Sequence, residues 1–475
     1  MTEEKPLELF KQLKRLKPSQ LISATMHFKY IKYKTALFCL FFAGEIVAQQ
    51  ELMLNSLPDL WHSNSVNPAF YPKNKRFFIG LPAYSIDLSH SGEIAYEDIF
   101  REEGDRTVID LDNAIGKLEP ENEVFFDQRI ETVSLGIRSK NDLWGLQVGH
   151  AILFNGWVKY PKELAELLWY GNAPYVGRTL QIGPQTDISD WHEWGVGISR
   201  RLGKVNLAAR FKYLTGANAL QSDDTRTQIS VYTDPDIYQL TLKTNYAFNS
   251  SSIVEAIDTS GFGYDFDVNS FGGAPSSQNG GFAFDLGFDA NLSENLSINA
   301  SVLNLGGKIN WKRTAASFIT NEEYTYEGAE ISGLDIINGS DSLDFDAKLD
   351  TLNDIFQFRK TEISGWETEL PLRIFAGLNF KLSEKWSLGV TGMYQSHYNR
   401  TNTALGVSAR WQAFRWLSLG GMYSANSRSA SNLGFLLLLQ PGPFQVYVMS
   451  DNLLNGFSAR NSPAVNFRVG ASVAF

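Results

Sequence analysis

Histidine, serine and aspartate are the side chains with which chemistry would have to begin in this chain, which carries six histidines and one cysteine among 475 residues. Ser89 beside His90, and Ser396 beside His397, supply the types needed for a nucleophile and its base. Neighbours in a strand point to opposite faces, so neither pair is a dyad. His62, His90, His150, His192 and His397 stand far apart and lack a metal-binding spacing such as His-Glu-x-x-His. Asp265, Asp267 and Asn269 have the oxygen spacing that opens a calcium loop, but Ser270 replaces the turn glycine and Ser276 the closing glutamate. Asp341, Asp344, Asp346 and Asp350 read as a solvated acidic loop. The expectation is no catalytic residue, no metal site, no cofactor and no enzyme.

The question then becomes what the apolar residues build. At the C-terminus Val465, Phe467, Val469, Ala471, Val473 and Phe475 share one face, with Asn466, Arg468, Gly470, Ser472 and Ala474 on the other. Period two is that of a strand, and about ten residues cross a bilayer when the strand is tilted. The other end carries Lys29, Lys32 and Lys34, an apolar run from Thr35 to Ala43, and a small residue at Ala48. This is the pattern of a cleaved secretory signal. Residues 1–48 are therefore read as a leader, with residues 1–25 a possible upstream extension and 26–48 the signal peptide. Cys39 lies within it, leaving a cysteine-free mature chain suited to an oxidising compartment.

Removing the leader leaves 34 basic against 48 acidic residues, a balance that argues against nucleic acid as a partner. No mature segment has the 18 or so consecutive apolar residues of a spanning helix, so a membrane crossing requires a closed barrel. Paired alternating runs recur with tight turns. Val133, Leu135 and Ile137 precede Trp144, Leu146 and Val148, and Trp194, Val196 and Ile198 precede Val205, Leu207, Ala209 and Phe211. Phe282 to Leu292 turns into Leu296 to Val302, and Leu372 to Leu382 turns into Trp386 to Val390.

Between the apolar positions stand Arg210 and Lys212 in one strand and Asp285 and Asp289 in another, candidates to face a lumen. Alternation alone does not say which face is outside. The leader, the terminal strand, the tight turns and 13% aromatics favour apolar outward. Trp144, Trp157, Trp194, Tyr213, Trp311, Trp386, Tyr394, Trp411, Trp416 and Tyr423 lie near strand ends, as interfacial girdles do. Residues 156–190, 250–280 and 312–368 read as long external loops opposite short periplasmic turns. Within the first, Pro161 followed by Leu164, Leu167 and Leu168 predicts a short helix over the pore, on the rim, or serving only as a connection.

The fold class expected is all-β, a single antiparallel transmembrane β-barrel over residues 76–475, with 14 strands in a range of 12 to 16. A barrel of this size has an interior wider than its own side chains fill. Residues 49–75, which lack alternation, are the candidate plug or hatch, and Asn67, Pro68 and Ala69 are its most specific motif. A proline-fixed turn anchoring the first strand is the alternative reading of that motif.

Asn67-Pro68-Ala69 resembles the hatch of the long-chain fatty-acid transporter superfamily and of related barrels from Bacteroidota, some of which serve type IX secretion. Phe284 to Gly287, Val302 to Gly306, Leu370 to Arg373 and Ser450 to Leu453 resemble an uncharacterised outer-membrane family of those bacteria. Phe475, with Phe467, Val469 and Val473 on its face, resembles the signal that such barrels present to their assembly machinery. The resemblance implies outer-membrane localisation in a Gram-negative cell, with lipid, lipopolysaccharide and the barrel-assembly machinery as partners. It leaves two functions open: a transporter or channel for small molecules, hydrophobic ones included, and a non-conducting scaffold that docks secretion or motility components.

Overall fold

The computed structural model describes residues 50–91, 94, 96–103, 106–256, 264–266, 273–326, 358–397, 400–426, 432–450 and 464–475. The leader with Cys39, residues 267–270 of the calcium-like spacing, the aspartates between 341 and 350, and residues 451–453 lie outside them.

Fourteen strands close into one antiparallel barrel: β1 (Phe77–His90), β2 (Glu121–Arg138), β3 (Trp144–Pro161), β4 (Gln185–Leu202), β5 (Val205–Thr233), β6 (Gly280–Asn291), β7 (Leu296–Trp311), β8 (Leu372–Lys381), β9 (Trp386–His397), β10 (Arg400–Phe414), β11 (Leu417–Asn426), β12 (Asn432–Leu439), β13 (Phe444–Ser450) and β14 (Ala464–Ala474). Closure is made by β14 beside β1, with Tyr84 opposite Val469 and Ile86 opposite Phe467. The other edge of β1 pairs with β2. Through the barrel the sheet thus has no free edge, which is what lipid demands of backbone N–H and C=O groups. Among the described residues no helix is long and apolar enough to cross a membrane.

Burial settles which face is outside. Leu146, Val196 and Leu405 are more than half exposed, whereas Gln147, Lys212, Asp285 and Arg468 are buried. The apolar face points outward as a lipid belt, and the polar positions of the same strands point into the lumen. Trp144, Trp386, Trp411 and Trp416 ring the end where the short turns lie, and Trp194, Tyr213, Tyr394 and Tyr423 ring the other. Trp157 and Trp311 do not belong to a girdle. Both are buried because strand parity turns them inward, and Trp311 Nε1 donates to Thr368 Oγ1 at 2.8 Å.

Parts of the long connections are strands, not loops. β5 runs past the lipid belt to Thr233 and pairs with Leu240–Ser251, which also holds Ala316–Thr320, in turn paired with Arg359–Glu362. Their apolar residues serve a core of their own: Leu240, Leu242, Tyr246 and Phe248 share one buried face of Leu240–Ser251. Leu180, Ile229, Val231, Leu242, Phe248 and Phe318 form a separate apolar core there. The helix Lys162–Tyr170 buries Leu167 in that core, so it packs on this outer sheet.

The seam gives a direct test. Phe475 accepts hydrogen bonds through its main-chain oxygen from Arg76 N and Phe77 N at 2.9 Å, donates its N–H to Phe77 O at 3.0 Å, and stacks on Phe77 with centroids 5.7 Å apart. Deleting Phe475 should lower the yield of folded barrel several-fold, measured by the heat-modifiable shift of the band in electrophoresis.

Candidate functional site

The lumen is occupied by the chain's own N-terminal segment. Helix α1 (Gln50–Asn55) and a 3-10 turn (Trp61–Ser65) lead through residues 66–72 to the short-turn end, where β1 begins. Leu54, Val66 and Asn67 are wholly buried. We call residues 50–72 the inner segment.

Its anchor near the short-turn end is Trp61. The indole stacks on Phe78, centroids 4.7 Å apart, meets Tyr71 edge-on at 5.6 Å, and donates Nε1–H to Ser134 Oγ at 2.9 Å. The Trp61 backbone N–H donates to Gln445 Oε1 at 3.0 Å, tying β13 to the same point. The ring fits only because the wall beneath it has no side chain: a Cβ on Gly136 would lie 2.2 Å from the indole.

Asn67, Pro68 and Ala69 sit against β6 and β7. Asn67 Nδ2 donates to the carbonyls of Phe288 (3.0 Å) and Ala300 (3.3 Å), while its Oδ1 accepts from Ala69 N at 3.0 Å. Pro68 has no N–H to strand in the lumen, and its carbonyl accepts from Asn64 Nδ2 and Gln147 Nε2. A Cβ on Gly287 would lie 2.4 Å from Asn67 Oδ1. Three motifs scattered through the sequence meet here. Asp285 Oδ1 accepts from Asn304 N at 2.8 Å, and Asn304 Nδ2 donates to Pro371 O at 2.9 Å. Asn304 holds a left-handed backbone, φ 60°, where β6 and β7 shift register, a conformation that asparagine tolerates better than most residues.

A chain of buried ion pairs runs from this point around one half of the lumen. Arg210 and Lys212 both contact Asp285 Oδ2, at 2.7 and 3.0 Å. Lys212 continues to Glu193 (3.2 Å), Glu193 to Arg129 (3.2 Å), Arg129 to Glu131 (3.4 Å), and Glu131 to Arg468 (2.5 Å). Arg210 also donates to the carbonyls of Asn64 and Ser65, so the network holds the inner segment by its backbone. Deeper in, Arg373 pairs with Glu51 of the inner segment at 2.5 Å. Of the lumen residues expected from the sequence, Arg210, Lys212 and Asp285 come together. Asp289 shares their inward row but lies toward the short-turn end, with Lys73, Arg138 and Arg201 as its electrostatic neighbours.

Sequence reasoning missed Arg129, Glu131, Glu193 and Arg468. The signal available was parity: each occupies the inward position of a strand whose alternate residues are apolar. His62 was passed over as an isolated histidine, yet its Nε2 lies 3.1 Å from Leu81 O and 4.0 Å from Glu131 Oε2.

The opposite half of the lumen is apolar. Leu52, Met53, Leu54, Leu57 and Leu60 of the inner segment pack on Phe375, Met393, Met422, Leu436, Leu438 and Met449. This explains the near-continuous apolar run of β12, which meets lipid on one side and the inner segment on the other. Between the charged half and Trp61, His62 and Asn64 remains a cavity of about 50 Å³, room for a few water molecules. Trp191, Leu214 and Trp311 form an apolar layer in the lumen toward the long-connection end.

Two predictions follow from this seat. Gly136→Ala should force the Trp61 indole from its recess and destabilise the protein by about 1–3 kcal/mol, read as a lowered denaturation midpoint. Burial pushes the His62 imidazole below its ordinary range, against the pull of Glu131 and with the push of Arg468. The unfolded chain therefore takes up a proton near pH 6.5 and the folded one does not, so stability present above that pH is lost as pH falls toward 5. His62→Gln should flatten this part of the stability–pH curve.

Comparison with known proteins adds the family. No curated protein matches the chain. Among solved structures, the Pseudomonas putida toluene transporter TodX aligns over 91% of this chain and 99% of its own, at 10% identity and a TM-score of 0.43. A Pseudomonas aeruginosa FadL homologue aligns over 86% and 91%, at 9% and 0.37. The translocator domain of the autotransporter NalP from Neisseria meningitidis aligns over 85% and 90%, at 9% and 0.33. The model of the family described as "Family of unknown function (DUF5723)" matches residues 68–451, from the Pro68 of the inner segment through β13. The chain belongs to that family.

Proposed function

We propose that this protein is an outer-membrane transporter whose lumen is gated by its own N-terminal segment and which passes small, largely apolar molecules. The observation that carries the reading is the two-sided fit of the inner segment. One side is held by polar contacts that can be exchanged for water, and the other lies on an apolar wall in which Met393, Met422 and Met449 supply adaptable side chains. Displacing the segment would expose that wall as a track for an apolar solute. Asn67, Pro68 and Ala69 act in this reading as the hatch, and Arg210, Lys212 and Asp285 as the catch that holds it. The lipid belt supports a location in the outer membrane, reached through a cleaved leader. Lipopolysaccharide and the barrel-assembly machinery would be partners, the latter engaging Phe467, Val469, Val473 and Phe475.

One observation favours a second reading. The Trp191, Leu214 and Trp311 layer and the outer sheet leave the lumen filled beyond the inner segment. A barrel filled at both levels suits a scaffold for secretion or motility components of the kind found in Bacteroidota.

Conductance in a planar bilayer separates the two. The transporter reading expects little current from the full chain and clear steps from Asn67→Ala/Pro68→Ala or from a form lacking residues 49–75. Silence of every form, with insertion confirmed, would overturn it and leave the scaffold.

A further inference from the structure

Charge is spread unevenly around the short-turn end of the barrel. Residues 73–76 enter β1, residues 138–143 join β2 to β3, and residues 200–204 join β4 to β5; together they hold eight basic residues against one acid, Asp142. The other short turns and the residues beside them are nearly balanced, with Lys381, Lys385 and Arg415 against Glu294 and Glu384. β1 to β5 are consecutive neighbours in the wall, so the excess occupies one arc of the rim. It does so in a chain that is acidic as a whole.

The chain answers only part of this charge itself. Arg138 and Arg201 share Asp142, and Lys73 has the inward Asp289 as its electrostatic neighbour. Lys75, Arg76, Lys140, Arg200 and Lys204 form no ion pair with any described residue, although Lys204 Nζ donates to Leu292 O at 3.4 Å. Adjacent strands lie about 4.8 Å apart and are tilted, so these five cations share roughly 20–25 Å of rim. That spacing is comparable to the Debye length of about 8 Å at physiological ionic strength, so they repel one another. Their counter-charge has to come from outside the chain.

Where the side chains lie says which anion supplies it. Arg200 follows Trp194, Val196 and Ile198 in the outward row of β4 and is exposed, as they are. It stands opposite Trp144 in the register, with its guanidinium carbon 4.4 Å from the centroid of that outward ring. Arg76 repeats the arrangement, 5.5 Å above the outward Phe77 ring that stacks on Phe475. A guanidinium lying on a ring face keeps its N–H donors at its edge, free to fork onto a phosphate. Both groups therefore sit where the lipid belt ends, at the depth of the headgroups and outside the lumen. We propose that this arc, with Arg76 and Arg200 as its lipid-side anchors, binds the phosphates of anionic phospholipids such as cardiolipin. The inference rests on the outer-membrane location proposed above. Short turns face the periplasm in such barrels, and the leaflet on that side is built of glycerophospholipid, not lipopolysaccharide. Lys75, Lys140 and Lys204 add point charges around the two forks.

The test first inserts the full chain into phosphatidylcholine vesicles, then titrates it in detergent micelles with cardiolipin or phosphatidylcholine and counts bound lipid by native mass spectrometry. The first cardiolipin should bind at least about tenfold more tightly than the first phosphatidylcholine. Arg76→Gln/Lys140→Gln/Arg200→Gln/Lys204→Gln should erase that preference. Arg226→Gln/Lys243→Gln/Arg359→Gln/Lys360→Gln, which removes four cations from the outer sheet, should retain it. Variants are compared only after their heat-modifiable band confirms a closed barrel. Equal binding of the two lipids by the unmodified protein, or a preference that the arc variant keeps, would overturn the proposal and leave the arc to an acidic periplasmic partner. A chain that does not enter the vesicles at all would overturn the membrane location and this inference with it.

Discussion

The pairing of the last strand with the first is the constraint on which everything else depends. In hydrocarbon an unpaired backbone N–H or C=O has no water to turn to, and each costs several kcal/mol. β14 beside β1 removes the last edge, and the Phe475 backbone extends the ladder past β14 to Arg76 and Phe77. Once the sheet is closed, the period of two divides every strand between lipid and lumen. Fourteen strands then create an interior that their own side chains cannot fill.

The inner segment answers that space with two different kinds of contact. Against β7 to β13 it buries leucines on methionine, leucine and phenylalanine, an interface held by area and shape. Against β2 to β6 it meets alternating charges, each already satisfied by a neighbour on the wall. Ion pairs of this kind gain little over an apolar replacement but cost about 3–5 kcal/mol if one partner is lost. The network therefore defines where the segment sits more than how tightly it binds. Glycine recesses at Gly136 and Gly287 complete the fit by letting Trp61 and Asn67 approach the wall backbone.

The same alternation that places charges inside places Arg200 outside, on a strand whose inward Glu193 belongs to the ion-pair chain. Bulges interrupt it. At Thr132 one extra residue turns a hydroxyl toward His150, and at Asn304 a left-handed residue links Asp285 to Pro371. Each breaks the period of two at one point and brings together groups that a regular ladder would keep apart.

The sequence by itself determined the barrel, since a period of two over about ten residues, repeated between tight turns, has one stable solution in lipid. Parity also set Arg210 and Lys212 on one face of their strand and Asp285 and Asp289 on one face of theirs, but that this face is the inner one was decided by the burial of Lys212 and Asp285. The sequence did not reveal that Asp285, Asn304 and Pro371 are neighbours, or that Asn67 meets Phe288 and Ala300, because these meetings depend on which strands lie side by side and on a shift of register. Trp157 and Trp311 were misplaced for a related reason: a tryptophan near a strand end looks the same whether it faces lipid or the lumen. The outer sheet was missed because Ala316–Thr320 and Arg359–Glu362 are too short to show a period, and the strands they pair with are distant in the sequence. Local periodicity is written in the chain, whereas the partners it meets across a closed sheet exist only once the sheet has closed.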